Sequence, residues 1–148
     1  EQMLGHNKRP EIEVFELGMI HTVKELDEQF HFIRPVLFAL VFGHGGEMPA
    51  TVPALKHMVD FLYETFPEQG EVLWGYTQAH RQDWEMMGKA LDMGAVSLRI
   101  GFEDSDCLAP GVRAASNAEL VARAAELVRE KGMEPMTARE VREMMRIQ

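Results

Sequence analysis

One stretch of this sequence decides its fold: PVLFALVF, at residues 35–42. A nearly continuous apolar run predicts a strand that is covered on both faces, which is typical of parallel sheets flanked by helices. The loop GHGGEMPAT follows the strand, and a helix is predicted over residues 52–65 because apolar side chains recur there at intervals of three and four. The stretch and its continuation therefore form a strand–loop–helix unit.

The same unit recurs on both sides of this stretch. Strands are predicted at 11–17, 35–42, 71–77 and 95–102, and helices at 20–30, 52–65, 81–92 and 117–131, with a short closing helix at 138–146. Strands that alternate with helices in this way predict a parallel sheet joined by right-handed crossover connections. The sequence therefore indicates an α/β fold built from four βα units.

Two architectures fit four βα units. They could close as a small, doubly wound open sheet, or they could form half of a TIM (β/α)8 barrel, which needs about 250 residues. The chain has 148 residues, a length typical of one domain, so we expect residues 1–148 to form a single domain. In the barrel case, this domain would be a partial barrel.

Composition limits the possible partners. The chain has 15 basic and 24 acidic residues and a formal net charge of −9, whereas nucleic-acid-binding surfaces concentrate lysine and arginine. The same charge disfavours an anionic membrane surface, and no apolar run approaches the roughly 18 residues that span a bilayer. A single cysteine, Cys107, excludes an internal disulfide framework, and residues 1–10 contain no apolar signal-peptide core. We therefore expect a cytoplasmic protein that binds neither nucleic acid nor membranes.

The segment that carries most chemical information is AVSLRIGFEDSD, at residues 95–106. Because side chains alternate across a strand, Arg99 and Glu103 are expected on one face, and Asp104 begins the following loop. The other face is expected to pack under the helices with Val96, Leu98, Ile100 and Phe102. Ligands of parallel α/β folds bind at the carboxyl ends of the strands, so Arg99, Glu103 and Asp104 are candidate site residues. The alternative is a structural Arg–Glu pair or an exposed strand end.

The first strand carries a similar feature. Glu11 and Glu13 share one face of EIEVFEL, so that face is either exposed to solvent or directed at a cation such as Arg99. Glu13 lies nearer the carboxyl end of the strand and is the stronger candidate. The alternative is a solvated edge strand whose charges prevent aggregation.

Other polar residues give weaker signals. None of the six histidines belongs to an H-x-H or H-E-x-x-H motif, so the sequence contains no two-histidine metal motif. His44 and His80 follow the second and third strands and could face the same opening, but we interpret them as loop residues. The GHGG loop lacks the spacing of a P-loop or a dinucleotide-binding motif. Cys107 has no neighbouring histidine that would make it a nucleophile.

Three stretches, in order along the chain, resemble one known family. RPEIEVFELGMI, LRIGFEDSD and SNAELVARAAELV are similar to the beta-keto acid cleavage enzymes, which carry P-E-x-E, R-x-G-x-E-D and S-N-A-E-L-V motifs. The resemblance implies a TIM barrel with a catalytic divalent metal, usually zinc. It also implies cleavage of a beta-keto acid with acetyl-CoA, which gives acetoacetate and a new CoA thioester. The resemblance covers essentially the whole chain, but only strands five to eight, the C-terminal half, of such a barrel.

The resemblance also implies roles for four residues. Glu103 aligns with the family's carboxylate metal ligand, and Asp104 aligns with the general base. Arg99 aligns with the arginine that orients this aspartate, and Glu13 aligns with the supporting glutamate of the P-E-x-E strand. A divalent metal would polarise the carbonyl groups of the keto acid, and an ionised Asp104 beside Arg99 would be available to take a proton.

The family's H-x-H metal ligands lie in the amino-terminal half of the barrel, which this sequence does not resemble. Glu103 by itself is not a zinc site, so the resemblance implies a partner that completes the active site. That partner would be a separate amino-terminal half-barrel or further copies of this chain in a homo-oligomer. Two other interpretations stay open: a non-catalytic half-barrel that serves as an interaction or scaffold subunit, and a small open sheet that binds an anion at the GHGG loop.

Overall fold

The structure is a computed structural model that describes Met3, His6 and residues 8–147. Strands and helices alternate along most of the chain. The elements are β1 (Glu11–Val14), α1 (Leu17–Phe30), β2 (Val36–Phe42), α2 (Val52–Thr65), β3 (Val72–Gln78), α3 (Glu85–Asp92), β4 (Ser97–Leu98), β5 (Cys107–Ala109), β6 (Val112–Arg113), α4 (Asn117–Glu130) and α5 (Ala138–Met145). Within the described residues, no helix combines the length and the apolar character needed to cross a membrane.

The first four strands form a parallel sheet in the order β1-β2-β3-β4. Each strand pairs with the strand before it, and one helix lies between each successive pair. This arrangement confirms the predicted parallel α/β fold. Right-handed crossovers between consecutive neighbours place all the connecting helices on one face. The order therefore does not fit the doubly wound alternative, in which the strand order reverses at a switch point.

One face of the sheet packs against these helices and forms the core. The strands contribute Val14, Phe38, Leu40, Trp74 and Tyr76, and the helices contribute Ile20, Leu55, Met58, Leu62 and Leu120, all with 0–1% exposure. Burial of each large apolar side chain contributes roughly 1.5–3 kcal/mol. Helix α2 has the predicted bounds, because its apolar spacing and the Thr51 side chain that accepts from the Ala54 N–H are local features.

The opposite face of the sheet, here called the inner face, combines charged side chains with small ones. Glu13, Ala39, Gly75 and Ser97 are register partners on the four neighbouring strands and form one row across this face. A Cβ at Gly75 would overlap the Ser97 hydroxyl, so any larger residue would force the Ser97 side chain or the strands to shift. The small residues on the two middle strands leave space above the sheet for side chains that reach across from the outer strands.

Strand β4 is much shorter than predicted. It covers Ser97–Leu98 instead of 95–102, because two N–H groups of the following loop donate to the Gly101 carbonyl and close a turn. The predicted alternation of faces therefore stops early. Val96 and Phe102, which were expected under the helices, are both exposed.

Three other predictions of element boundaries are corrected. β1 ends at Val14, not at residue 17, because Glu16 caps helix α1 by accepting a hydrogen bond of 3.0 Å from the Gly18 N–H. Helix α3 begins at Glu85 instead of residue 81. The antiparallel hairpin β5–β6 was predicted as part of a loop, and it turns at Gly111, whose φ is 75°.

Candidate active site

Four charged side chains meet above the inner face, near the carboxyl ends of the strands. Arg99 directly follows β4, and Glu13 lies on β1, the outer strand at the opposite side of the sheet. The Arg99 Nη1 donates a hydrogen bond of 3.0 Å to the Glu13 Oε1, and its Nη2 donates to the Glu103 Oε2. The Arg99 Nε lies 3.5 Å from the Asp104 Oδ2. One guanidinium therefore contacts three carboxylates, and all four predicted site residues come together.

These four side chains differ in their exposure to solvent. The Asp104 side chain is 7% exposed, that of Arg99 37%, and that of Glu103 80%. Arg99 is therefore partly solvated instead of buried, and Glu103 reaches out from the turn that follows β4. Glu11 shares a strand face with Glu13 but is exposed to solvent. Among the described residues, Arg99 forms ion pairs with Glu13, Glu103 and Asp104 and not with Glu11.

Asp104 lies in the least solvated environment of the four. Burial raises the pKa of its carboxyl group above the ordinary value, and the positive charge of Arg99 opposes this rise. The negative charge of Glu103 adds to the rise. The Oδ2 atom is buried and has no hydrogen-bond partner in the described part of the chain. A buried carboxylate with a raised pKa is a stronger proton acceptor than an aspartate on the surface.

Arg99 keeps its charge in this arrangement. Burial lowers the pKa of its guanidinium, but the attraction of Asp104, Glu103 and Glu13 outweighs burial, so the pKa is raised overall. The residue is therefore a fixed positive charge that holds three acids at short distance.

Two histidines that were predicted to lie in loops also reach this edge. His44 and His80 do lie in loops, and their ring centroids are 6.1 Å apart. His44 is also close enough to Asp104 to lower the pKa of that carboxyl group. The signal that pointed to them is their position directly after neighbouring parallel strands, whose carboxyl ends meet at one edge of a sheet.

An open depression of about 430 Å³ lies beside these groups. Its lining includes His80, Phe102, Glu103, Asp104 and Asp106, so the depression lies between the loop after β3 and the loop after β4. Its volume falls in the range of small-molecule sites. The buried carboxylate of Asp104 therefore borders a space that could take a small organic molecule.

The described residues do not form a metal site by themselves. Residues 8–147, together with Met3 and His6, contain no group of three or more His, Cys, Asp or Glu side chains that could hold a metal ion. Catalytic zinc sites use three protein ligands and keep one open position. Glu103 offers one exposed carboxylate, which is bound to Arg99. Zinc binding would therefore require ligands from outside this part of the chain.

A family model and two curated relatives match nearly the whole of this chain. The family model described as beta-keto acid cleavage enzyme matches residues 1–147. The chain is 34% identical over 143 residues to the 3-keto-5-aminohexanoate cleavage enzyme of Fusobacterium nucleatum subsp. nucleatum, which covers 97% of this chain and 49% of that protein. It is 32% identical over 145 residues to the enzyme of the same name from Acetoanaerobium sticklandii, with coverage of 98% and 50%. The chain therefore spans about half the length of the curated relatives it matches.

A solved structure has a similar fold. It is described as a ternary complex of ObcA with C4-CoA adduct and oxalate, and it superposes with a TM-score of 0.72 over 99% of this chain and 39% of that chain. The sequence identity is 20%, so this likeness concerns the fold alone.

Proposed function

Because this chain belongs to the beta-keto acid cleavage enzyme family, we propose that it supplies half the active site of a metal-dependent enzyme of that type. The substrates are a beta-keto acid and acetyl-CoA, and the products are acetoacetate and a new CoA thioester. The contact of Arg99 with Glu13, Glu103 and Asp104 carries the proposal, because these are the four residues to which the family resemblance gives roles in the site.

In this proposal, the chain is the C-terminal half, strands five to eight, of a TIM (β/α)8 barrel. The consecutive strand order, with helices on one face, is that of a barrel segment, and the curated relatives are about twice as long. Among the residues that the structure describes, no strand pairs with the outer edges of β1 and β4, and proteins usually cover such edges. A separate amino-terminal half-barrel covers these edges, and a second copy of this chain is the alternative partner.

Asp104 is proposed as the general base. To form acetoacetate, the acetyl group must bond to the carbon that lies between the carboxylate and the ketone of the keto acid, so this carbon first loses a proton. Asp104 is suited to accept this proton because its Oδ2 has no hydrogen-bond partner in the described residues and burial favours its protonated form. Arg99 orients the carboxylate, and Glu13 holds Arg99 from the opposite side of the sheet.

The remaining bonds follow from the balance of atoms. The new carbon–carbon bond to the acetyl carbonyl expels the CoA thiolate. The thiolate then adds to the keto carbon of the original acid, and the bond from that carbon to the central carbon breaks. The electron pair of this bond stays on the central carbon, which takes back the proton from Asp104. Acetoacetate and the new CoA thioester are released without any net change in protons.

Glu103 is proposed as one ligand of a divalent metal, zinc, with the other ligands in the amino-terminal half. When bound, such a metal polarises the carbonyl groups and stabilises the negative charge of the enolate. The 80% exposure of the Glu103 side chain agrees with a role at the open side of the site. The depression beside Asp104 is the proposed place of the keto acid.

A chimera tests this function. This chain replaces the matching half of the Fusobacterium nucleatum relative, and acetoacetate formation from acetyl-CoA is measured with a panel of beta-keto acids that includes 3-keto-5-aminohexanoate. We expect activity in the chimera, a loss of at least a hundredfold in Asp104→Asn, and no loss in Asp92→Asn, whose carboxylate pairs with Lys131 away from the site. A folded chimera without activity would contradict the proposal and favour the scaffold interpretation. An active homo-oligomer of the unmodified chain would identify a second copy as the partner.

A further inference from the structure

A buried arginine outside the four site residues connects the two loops that border the depression. Arg81 follows β3 and is 2% exposed. Its guanidinium stacks on the ring of Trp84 at 3.7 Å, and its two hydrogen bonds go to carbonyl oxygens. The Nη1 donates to the Asp83 carbonyl at 3.1 Å, and the Nη2 donates to the Cys107 carbonyl at 2.8 Å. Hydrogen bonds from a charged donor are stronger than those between neutral groups, so Arg81 joins the two segments through two such bonds.

We call residues 80–84 the anchor loop, and we call residues 103–108, which include the first two residues of β5, the acid loop. Besides the bond from Arg81, three hydrogen bonds join these two loops. The Ser105 hydroxyl donates to the Arg81 carbonyl at 2.7 Å, and the Trp84 Nε1 donates to the Leu108 carbonyl at 2.9 Å. The His80 N–H donates to the Asp104 carbonyl at 2.8 Å. The acid loop is therefore attached to the anchor loop on both sides of Arg81.

The side chain of Asp104 has little support of its own. Its Oδ2 accepts no hydrogen bond from the described residues, and the nearest charged atom is the Arg99 Nε at 3.5 Å. Arg99 orients the carboxylate, and the backbone of the acid loop sets where the side chain begins. That backbone is held by Arg81 and by the residues that contact it.

We propose that Arg81 is a positioning residue for Asp104, and that it acts by fixing the acid loop against the anchor loop. The inference rests on the proposed function, in which Asp104 takes a proton from the substrate. Neither motif resemblance nor residue pattern assigns a role to Arg81. Its side chain and its carbonyl group bond to residues of the acid loop, and Arg81 does not line the depression, which is why we assign it a positioning role.

Hydrogen exchange of the full chain tests the loop contacts without any assay of activity. In Arg81→Met, we expect the amides of His80 and Cys107 to exchange about tenfold faster, while amides of strand β2 keep their rates. Arg123→Met is the matched control, because Arg123 lies over the same Trp84 ring at 5.7 Å but pairs with Glu130 on its own helix. Equal rates in Arg81→Met and the unmodified chain, or an equal increase in Arg123→Met, would overturn the proposal.

A second variant covers the case in which Arg81→Met does not fold. Trp84→Phe keeps an aromatic ring under Arg81 but removes the donor to the Leu108 carbonyl. We expect faster exchange in the acid loop of this variant, by a smaller factor than in Arg81→Met. Unchanged exchange in the acid loop would contradict the proposed coupling of the two loops.

Kinetics of the chimera separate positioning from general stability. Because small displacements of a catalytic group reduce turnover strongly, Arg81→Met should lower kcat about 10- to 100-fold, with the KM for acetyl-CoA and the zinc content unchanged. Arg81→Lys should restore part of kcat, and Arg123→Met should leave it unchanged. An inactive unmodified chimera would contradict the proposed function. The hydrogen-exchange rates of the full chain would still show whether Arg81 holds the acid loop against the anchor loop. Full kcat in a folded Arg81→Met chimera would show that Arg81 does not position Asp104.

Discussion

Arg99 and Glu13 belong to opposite sides of the sheet, yet the Arg99 Nη1 lies 3.0 Å from the Glu13 Oε1. Two strands lie between them, and at neighbouring strand spacings of about 4.8 Å the contact bridges roughly 14 Å of sheet. The row below it contains Ala39 and Gly75, which have no large side chain to obstruct the crossing. The contact therefore depends on small residues in the middle of the sheet as much as on the charges at its sides.

A double-mutant cycle can measure this contact. Combining Arg99→Met with Glu13→Gln in urea unfolding should give a coupling free energy of about 0.5 kcal/mol, because both side chains are more than one third exposed and water screens their attraction. The coupling should fall when the salt concentration is raised to molar levels. The control cycle pairs Arg99→Met with Glu11→Gln on the same strand face, and a coupling of equal size there would contradict the specific contact.

Zinc binding by the completed barrel depends on Glu103 in the proposed function. Glu103→Gln in the chimera should weaken zinc binding at least tenfold, as measured by competition with a chromogenic chelator, because one charged ligand is replaced by a neutral amide. Glu126→Gln, at an exposed glutamate on helix α4, is the control and should bind zinc normally. Equal affinity in Glu103→Gln and the unmodified chimera would disprove the assignment of this ligand.

Asp27 makes stability depend on pH at the amino-terminal side of the sheet. Its hydrogen bond from Arg34 holds the pKa of the carboxyl group below the ordinary value of 3.8, and the Phe32 N–H adds a hydrogen bond of 2.8 Å. Since the folded pKa is depressed, the stabilisation is complete at neutral pH and is lost as the pH falls below about 4 and through the folded pKa.

Asp27→Asn should therefore lower the free energy of unfolding by roughly 2 kcal/mol at pH 7. The difference from the unmodified chain should shrink steadily in urea titrations between pH 5 and pH 2. Glu28→Gln, at an exposed position of the same helix, should change little at either end of this range. A pH-independent difference in Asp27→Asn would mean that the ionised carboxylate is not what stabilises this region.

A substitution at Gly75 tests how closely β3 and β4 pack on the inner face. Gly75→Ala places a Cβ against the Ser97 hydroxyl, so the variant should lose about 1–3 kcal/mol of stability in thermal unfolding. Ser97→Ala in the same chain should recover part of this loss, because it removes the oxygen that overlaps. Gly45→Ala is the control, since no atom lies within 4 Å of a Cβ there. Normal stability in Gly75→Ala would contradict tight packing between Gly75 and Ser97.

The family motifs contain four residues whose association could be predicted from the sequence. Glu13 lies on β1, and Arg99, Glu103 and Asp104 follow β4, so parallel topology brings them to one edge. The exposure of these residues could not be predicted in the same way. Alternation placed Phe102 under the helices, whereas the turn at Gly101 ends β4 early and leaves this side chain 47% exposed.

The sequence by itself determined the parallel α/β fold and the bounds of helix α2, and its motifs predicted the four charged residues that meet in the structure, because periodicity, capping and motifs are properties of neighbouring residues. Only the tertiary structure decided that His44 lies beside His80, that Gly75 must stay small against Ser97, and that Arg81 holds the acid loop. These relationships join segments that are distant in the chain, and their energies come from packing and hydrogen bonds between loops. Such contacts leave no periodic pattern in the order of residues.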